Sequence, residues 1–329
     1  MPETSDERPR RRRWPNLFLV GAAKAGTTSL YRELARHPAI YMSPMKEPHF
    51  FSQIQPAPER EAFFPHLTDE DEYLALFKGA TSEEVRGEGS TSYLWDRQAA
   101  ERIKSVVPEA RVLIILRDPV DRAYSQYWND VREGIERRSF LDALLEEQRY
   151  GPGEWGVSSL LIDCGLYAAQ VERYLGHFGA RVHVLFFEDF VRREASTIAD
   201  VHSFLGMGSP TAGSAPRRMN PASLPRNRLS GALFASGRLR RAVRSTVPRP
   251  VRGKVRGALL KEVSPPPIDP ATRALLTEIF RPEVARLADL IGADRLRDAG
   301  WAVGLLEGHL RGEAGPSHSP PQVTRQREE

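Results

Sequence analysis

Three short segments of the chain combine residue types and spacings that can do chemistry. The first, Leu17-Phe-Leu-Val-Gly21-Ala-Ala-Lys24-Ala25-Gly26-Thr27-Thr28-Ser29-Leu30, reads as an apolar strand, a glycine-bounded turn and the start of a helix. Such a turn exposes backbone N–H groups at the positive end of a helix and attracts phosphate or sulfate. The Gly21-x4-Gly26 spacing equals that of a nucleotide-triphosphatase P-loop, but Thr27-Thr28 stands where Lys-[Ser/Thr] would grip phosphate and magnesium. The lysine sits earlier, at Lys24, which disfavours a metal-linked triphosphate and favours a nucleotide with less charge to neutralise. The chain has 41 Arg and 6 Lys, yet Lys24 and Lys46 both fall in or beside the candidate site, where a compact hydrogen-bonding ammonium suits an anion.

The second segment, Pro44-Met-Lys46-Glu47-Pro48-His49-Phe50-Phe51, places an ammonium, a base-capable carboxylate and an imidazole within four positions. The third is Leu113-Ile-Ile-Leu-Arg117-Asp118-Pro119, followed by Arg122-Ala-Tyr-Ser125. A strand, then Arg, then an Asp-Pro helix start puts Arg117 at the carboxyl edge of a sheet, where open α/β folds bind ligands. Arg122 and Ser125, three apart, share a helix face.

The elements that must position these residues alternate. Strand-like Asn16–Gly21 precedes helical Thr27–Arg36, and Arg111–Leu116 precedes Pro119–Glu133; helical Gly165–Phe178 precedes strand-like Arg181–Phe187. Alternation predicts an α/β fold: a P-loop-NTPase-like central parallel β-sheet flanked by helices in three α/β/α layers. Val112–Leu116 has no polar face, as expected of a central strand. Asp269-Pro270 opens a helix running to about Ile291, with Leu275, Ile279, Val284, Leu287 and Leu290 available for packing. Residues 207–268 break the rhythm with Gly, Pro and Arg and read as an irregular basic insert carrying one or two short helices. The expected domain spans 14–310 between disordered tails at 1–13 and 311–329.

Composition narrows the classes. With 40% hydrophobic and 27% charged residues the chain is globular, and it shows no repeat period. No apolar run approaches the ~18 residues of a membrane-spanning helix, and the Arg-rich start lacks the apolar core of a secretory signal. The expectation is a cytoplasmic protein, with peripheral contact at the inner membrane surface as a further option. Cys164 is the lone cysteine, which excludes an intrachain disulfide and a Cys-rich metal site, and it reads as a small buried residue. The whole chain carries +4, but residues 217–261 alone carry +13 and the rest −9. This stretch reads equally as a solvated surface or as a contact: Arg226 closing over a nucleotide, and Leu229–Val247 as a basic amphipathic helix facing an anionic acceptor or lipid surface.

Taken together and in this order, the segments resemble the sulfotransferases that use 3′-phosphoadenosine 5′-phosphosulfate (PAPS), especially the branch with Lys-Glu-x-His-Phe-Phe that includes the heparan sulfate sulfotransferases and bacterial relatives. The resemblance covers roughly residues 16–301. It implies that Lys24, Ala25, Gly26, Thr27, Thr28 and Ser29 bind the 5′-phosphosulfate and that Arg117 and Ser125 clamp the 3′-phosphate. It makes Glu47 the general base, with His49 a helper or alternative base, and Lys24 the stabiliser of charge on the departing oxygen. Gly87-Glu88-Gly89-Ser90-Thr91-Ser92-Tyr93 resembles a further site-lining segment. Ser52 and Gly89 stand where heparan-type members often carry Asp and Lys.

The implied reaction is in-line transfer of a sulfuryl group to a hydroxyl or amine of a carbohydrate, lipid or small metabolite, with fixed cations absorbing charge and no metal. Two rival readings are a P-loop kinase, which would need magnesium, and a non-enzymatic nucleic-acid binder using the basic stretch. The latter leaves Lys24, Glu47 and Arg117 without a role, so no specific nucleic-acid partner is expected.

Overall fold

The computed structural model describes residues 14–53, 66–133, 135–151, 160–208, 223–225, 260–262 and 265–301. Five parallel strands form a sheet in the order β2-β3-β1-β4-β5. They are β1 (Leu17–Gly21), β2 (Ile40–Met42), β3 (Val85–Gly89), β4 (Arg111–Leu116) and β5 (Val182–Phe186). Every residue of β1 is buried, and every residue of β4 after Arg111. Continuous apolar runs of this kind belong to strands covered on both faces.

The chain leaves β1 through α1 (Thr27–Leu34) and passes β3 to reach β2. It leaves β3 through α3 (Ser92–Trp95) and α4 (Ala99–Val106), passes β1 and reaches β4 from the other direction. Right-handed crossovers in opposite directions place these helices on opposite faces. The packing agrees. His37, just after α1, lies 4.7 Å ring to ring from His202 of α9 (Glu194–Phe204) on one face. On the other, α3 and α4 pack against α7 (Tyr167–Phe178), which α10 (Pro270–Ile291) covers in turn. The expected three layers are therefore present, and the loops after β1 and β3 diverge to opposite faces, which opens a crevice between adjacent strand ends.

The helix after β4, α5 (Pro119–Glu133), starts as the Asp-Pro pair implies: Asp118 Oδ1 accepts from the amides of Val120 at 2.9 Å and Asp121 at 3.1 Å. Arg122 does not face the site. Its guanidinium is fully buried and donates to the carbonyls of Leu160, at 3.1 Å, and Leu161. Glu147, on α6 (Phe140–Tyr150), accepts from the amides of Leu161 at 2.6 Å and Ile162 and Asp163 at 3.0 Å. These contacts tie α5 and α6 to the turn before α7.

One expectation needs correction, and two elements add to the sequence reading. Strand β3, Val-Arg-Gly-Glu-Gly, carries almost no apolar signal because its glycines are packing requirements: a Cβ on Gly87 would stand 2.5 Å from Met42 Sδ. On α10 the buried residues are Leu276, Phe280, Val284 and Leu287; Leu275 and Ile279 are half-buried and Leu290 is exposed. The face is turned because Phe280 fills the space over Gly165, where a Cβ would lie 2.7 Å from its ring. Within 207–268, Ser223–Pro225 (β6) and Leu260–Glu262 (β7) pair antiparallel, and β6 lies against α5. The proposed Leu229–Val247 helix, both tails and Arg226 lie outside the described residues.

The sheet predicts its own weak point. Leu113, fully buried mid-way along β4, should cost about 2–5 kcal/mol when replaced by Ala, read as a lowered urea midpoint at unchanged slope.

Candidate active site

The first loop begins with an irregularity. Leu19 pairs with Leu113 but Gly21 pairs with Ile114, so β1 bulges before its end, and the amide of Ala22 then donates to Ile115 O at 2.7 Å. The chain turns over Ala22–Gly26 with Lys24 at φ 68° and Gly26 at φ 87°. Gly26 is required twice: its φ suits glycine, and a Cβ there would stand 2.7 Å from the Phe187 ring. α1 starts at Thr27; the amides of Ser29 and Leu30 already donate to Gly26 O at 2.9 and 3.2 Å, and the amides before them, at the helix start, face the turn. Ala25 and Thr27 are buried, Ser29 is half-buried and Thr28 is exposed.

Cations converge on this turn. Lys24 Nζ donates to Asn129 Oδ1 at 3.0 Å, and Arg132 Nη2 donates to the same oxygen. Arg117 follows β4 as predicted, its guanidinium 4.7 Å over the Phe187 ring and donating to Lys24 O at 3.3 Å, while Tyr167 Oη donates to Arg117 O at 3.0 Å. Burial, followed by repulsion from Arg132, lowers the Lys24 ammonium to about 8 against the pull of Asp130 and Glu133. Asn129 and Arg132 were not singled out from the sequence, although Ser125, Asn129 and Arg132 fall at helical spacing along α5. Ser125 is half-buried on that helix.

The Lys46–His49 segment lies at the ends of β2 and β3. Glu47 and His49 both adopt positive φ, 66° and 56°, and the Glu47 amide donates to Gly89 O at 2.9 Å. Gly89 keeps this approach open, since a Cβ would press on the Tyr31 ring at 3.0 Å. Lys46 Nζ donates to Glu47 Oε1; the Thr91 amide donates to Oε2 at 2.8 Å, and its hydroxyl lies 3.1 Å from the same oxygen. Burial alone would raise the Glu47 carboxyl, but Lys46, His49 and the Thr91 amide outweigh it and hold the group below its ordinary value.

His49 is buried, its Nε2 3.6 Å from Glu47 Oε2 and its Nδ1 2.7 Å from Ser92 Oγ. Glu88 has no cation paired with it among the described residues. Burial pushes it up to about 7, against hydroxyl donors that include Tyr73 at 3.1 Å and Ser90 at 2.9 Å. Cys164 is a buried free thiol raised to about 12 by burial, as the structural reading expects.

The structure thus links Lys24 with Arg117 and Glu47 with His49, and sets both pairs at the carboxyl ends of neighbouring strands. The sulfotransferase family profile matches residues 15–210. The chain belongs to the sulfotransferase family.

A crystal structure of a sulfotransferase from Alicyclobacillus acidocaldarius superposes with a TM-score of 0.64 at 33% identity, covering 85% of this chain and 96% of that one. Human heparan sulfate glucosamine 3-O-sulfotransferase 6 is 31% identical over 201 residues, 60% of this chain and 54% of that protein. Mouse bifunctional heparan sulfate N-deacetylase/N-sulfotransferase 4 is 30% identical over 202 residues, 59% of this chain and 22% of that protein. The chain therefore spans about half the length of the first of these curated relatives, and less of the second. Among the described residues no helix is long and apolar enough to cross a membrane.

Because Lys24 keeps its charge only below about pH 8, affinity for 3′-phosphoadenosine 5′-phosphate should weaken as pH rises from 7 to 9.5. Loss of one charge-assisted hydrogen bond corresponds to about 10- to 100-fold. Calorimetry should show that dependence in the native chain and its absence in Lys24→Met.

Proposed function

We propose that this sulfotransferase moves a sulfuryl group from PAPS to a hydroxyl or amine of a carbohydrate, lipid or small metabolite, with Glu47 taking the acceptor's proton. The donor set fits the nucleotide: amides of a first helical turn and three cations suit a group anionic at both ends. When bound, PAPS supplies the sulfuryl group on a phosphate leaving group.

The chain's own residues do the rest. Residues Ala25 to Ser29 hold the 5′ end, through the amides of Gly26, Thr27 and Thr28 and the hydroxyls of the segment, since the Ala25 and Ser29 amides donate to Ala22 O and Gly26 O. Lys24 faces negative charge that grows as the bond to phosphate breaks. Arg117 and Ser125 hold the 3′-phosphate, with Arg226 as a further contact closing over the nucleotide. Residues 14–310 act as one domain, cytoplasmic in location, and the basic 217–261 stretch offers an anionic surface contact.

The observation that carries this reading is the state of Glu47. A carboxylate held below its ordinary value by Lys46, His49 and the Thr91 amide is ionised throughout the neutral range and so has a free site for the acceptor's proton, whereas Glu88, fully buried and raised to about 7, is committed to hydroxyl donors. Family membership favours this reading over the kinase and nucleic-acid alternatives.

The test uses radiolabelled PAPS and a panel of phenolic, sugar and amine acceptors. Glu47→Gln should lower kcat by about 10²–10⁴-fold while 3′-phosphoadenosine 5′-phosphate still binds. Near-native turnover in that variant would remove Glu47 from the proposed role.

A further inference from the structure

Behind Glu47 lies a chain of buried groups that proton transfer itself does not require. His49, Ser92 and Ser52 are 2%, 0% and 3% exposed. His49 Nδ1 lies 2.7 Å from Ser92 Oγ, which lies 2.7 Å from Ser52 Oγ. The backbone of the same group is tied down: the His49 amide donates to Ser90 Oγ at 3.0 Å, and the Ser52 amide to His49 O at 3.0 Å. The charged and titratable groups facing His49 are Glu47, Lys46 and His66, the last 3.0 Å from Ser52 O through its Nε2.

The hydrogen positions follow from what each atom can do. Nε2 stands 3.6 Å from Glu47 Oε2, beyond hydrogen-bond range, but an ionised carboxylate only accepts, and its charge favours hydrogen on the nitrogen that faces it. Burial, together with His66 and Lys46, holds the imidazole below its ordinary value against the pull of Glu47, so the ring is neutral and its other nitrogen, Nδ1, is an acceptor. That nitrogen needs a donor, and Ser92 is within reach. Once the Ser92 hydroxyl points at His49, its oxygen accepts from Ser52. The hydrogens then run one way, from Ser52 to Ser92 to Nδ1 and from Nε2 toward Glu47.

We propose that Ser92 and Ser52 are positioning residues that fix His49 as its neutral Nε2–H tautomer, leaving Glu47 as the base and His49 as a dipole aimed at it. The inference rests on the reading of Glu47 as proton acceptor. As the acceptor oxygen or nitrogen bonds to sulfur and the sulfur–phosphate oxygen bond breaks, the acceptor's proton ends on Glu47. His49 keeps the same proton throughout, because Nε2 is already protonated and Nδ1 is occupied.

The experiment is long-range ¹H–¹⁵N correlation on histidine-labelled protein at pH 7.5, with His49 assigned through His49→Gln. The expected spectrum shows His49 neutral with hydrogen on Nε2 alone. Ser92→Ala and Ser52→Ala should each shift it toward a mixture of tautomers, Ser92→Thr should restore the single form, and binding of 3′-phosphoadenosine 5′-phosphate should stay native in all three. A cationic or Nδ1–H ring in the native protein, or a pattern unmoved by Ser92→Ala and Ser52→Ala alike, would overturn the proposal. The spectrum is read without turnover, so failure of the tautomer assignment is separate from failure of the sulfuryl-transfer reading, which would appear as lost nucleotide binding. If Ser92→Ala does not fold, the native spectrum and Ser52→Ala decide.

Discussion

Like charges brought close together set the terms for this fold. Lys24 and Arg132 donate to one oxygen, Asn129 Oδ1, and Arg117 reaches the carbonyl of Lys24. Their mutual repulsion must be met by the frame before any anion arrives. Part of the answer is electrostatic, from Asp130 and Glu133 beside Lys24. Much of the rest is mechanical: α5 is capped by Asp118 and pinned through the buried Arg122, and Arg117 is held by Tyr167 and the Phe187 ring. In the proposed reaction a cradle assembled this way would meet developing charge without reorganising, which is how fixed cations lower a barrier.

The acidic half of the site uses the opposite arrangement. Glu47 and Glu88 sit on neighbouring segments, joined through the Gly89 carbonyl that receives the Glu47 amide. Cations and an amide surround the first, while burial and hydroxyls surround the second, and their proton affinities part accordingly. Glu88 still matters to the site. It accepts from Ser90, whose oxygen in turn receives the His49 amide, so the buried acid anchors the imidazole's backbone.

Legibility in the sequence followed the physical signal. β1, β4 and α5 were readable because apolar runs, a glycine-bounded turn and an Asp-Pro start each carry a local signature, and the bounds of α5 and α10 match those expected. β3 was not readable as a strand: two glycines and two charged residues in five positions make sense only once Met42 and Tyr31 are seen packed against the glycines and hydroxyls against Glu88. Lys24, Glu47, His49 and Arg117 were found by type and spacing. Asn129 and Arg132 were missed because a polar stripe on a helix usually means solvent, and only the fold turns this one toward the β1 loop. Ser52 lies three positions after His49, but Ser92, which joins the two, lies about 40 positions further on, and no local pattern links it to them.

If protein cations alone receive the nucleotide, 3′-phosphoadenosine 5′-phosphate should bind the native chain with equal strength in EDTA and in magnesium. Calorimetry on the native chain and on Arg117→Ala in both buffers should then show a loss of about 10- to 100-fold in Arg117→Ala that magnesium does not repair. Binding that appears only with magnesium, or that Arg117→Ala leaves unchanged, would mean that these cations do not receive it.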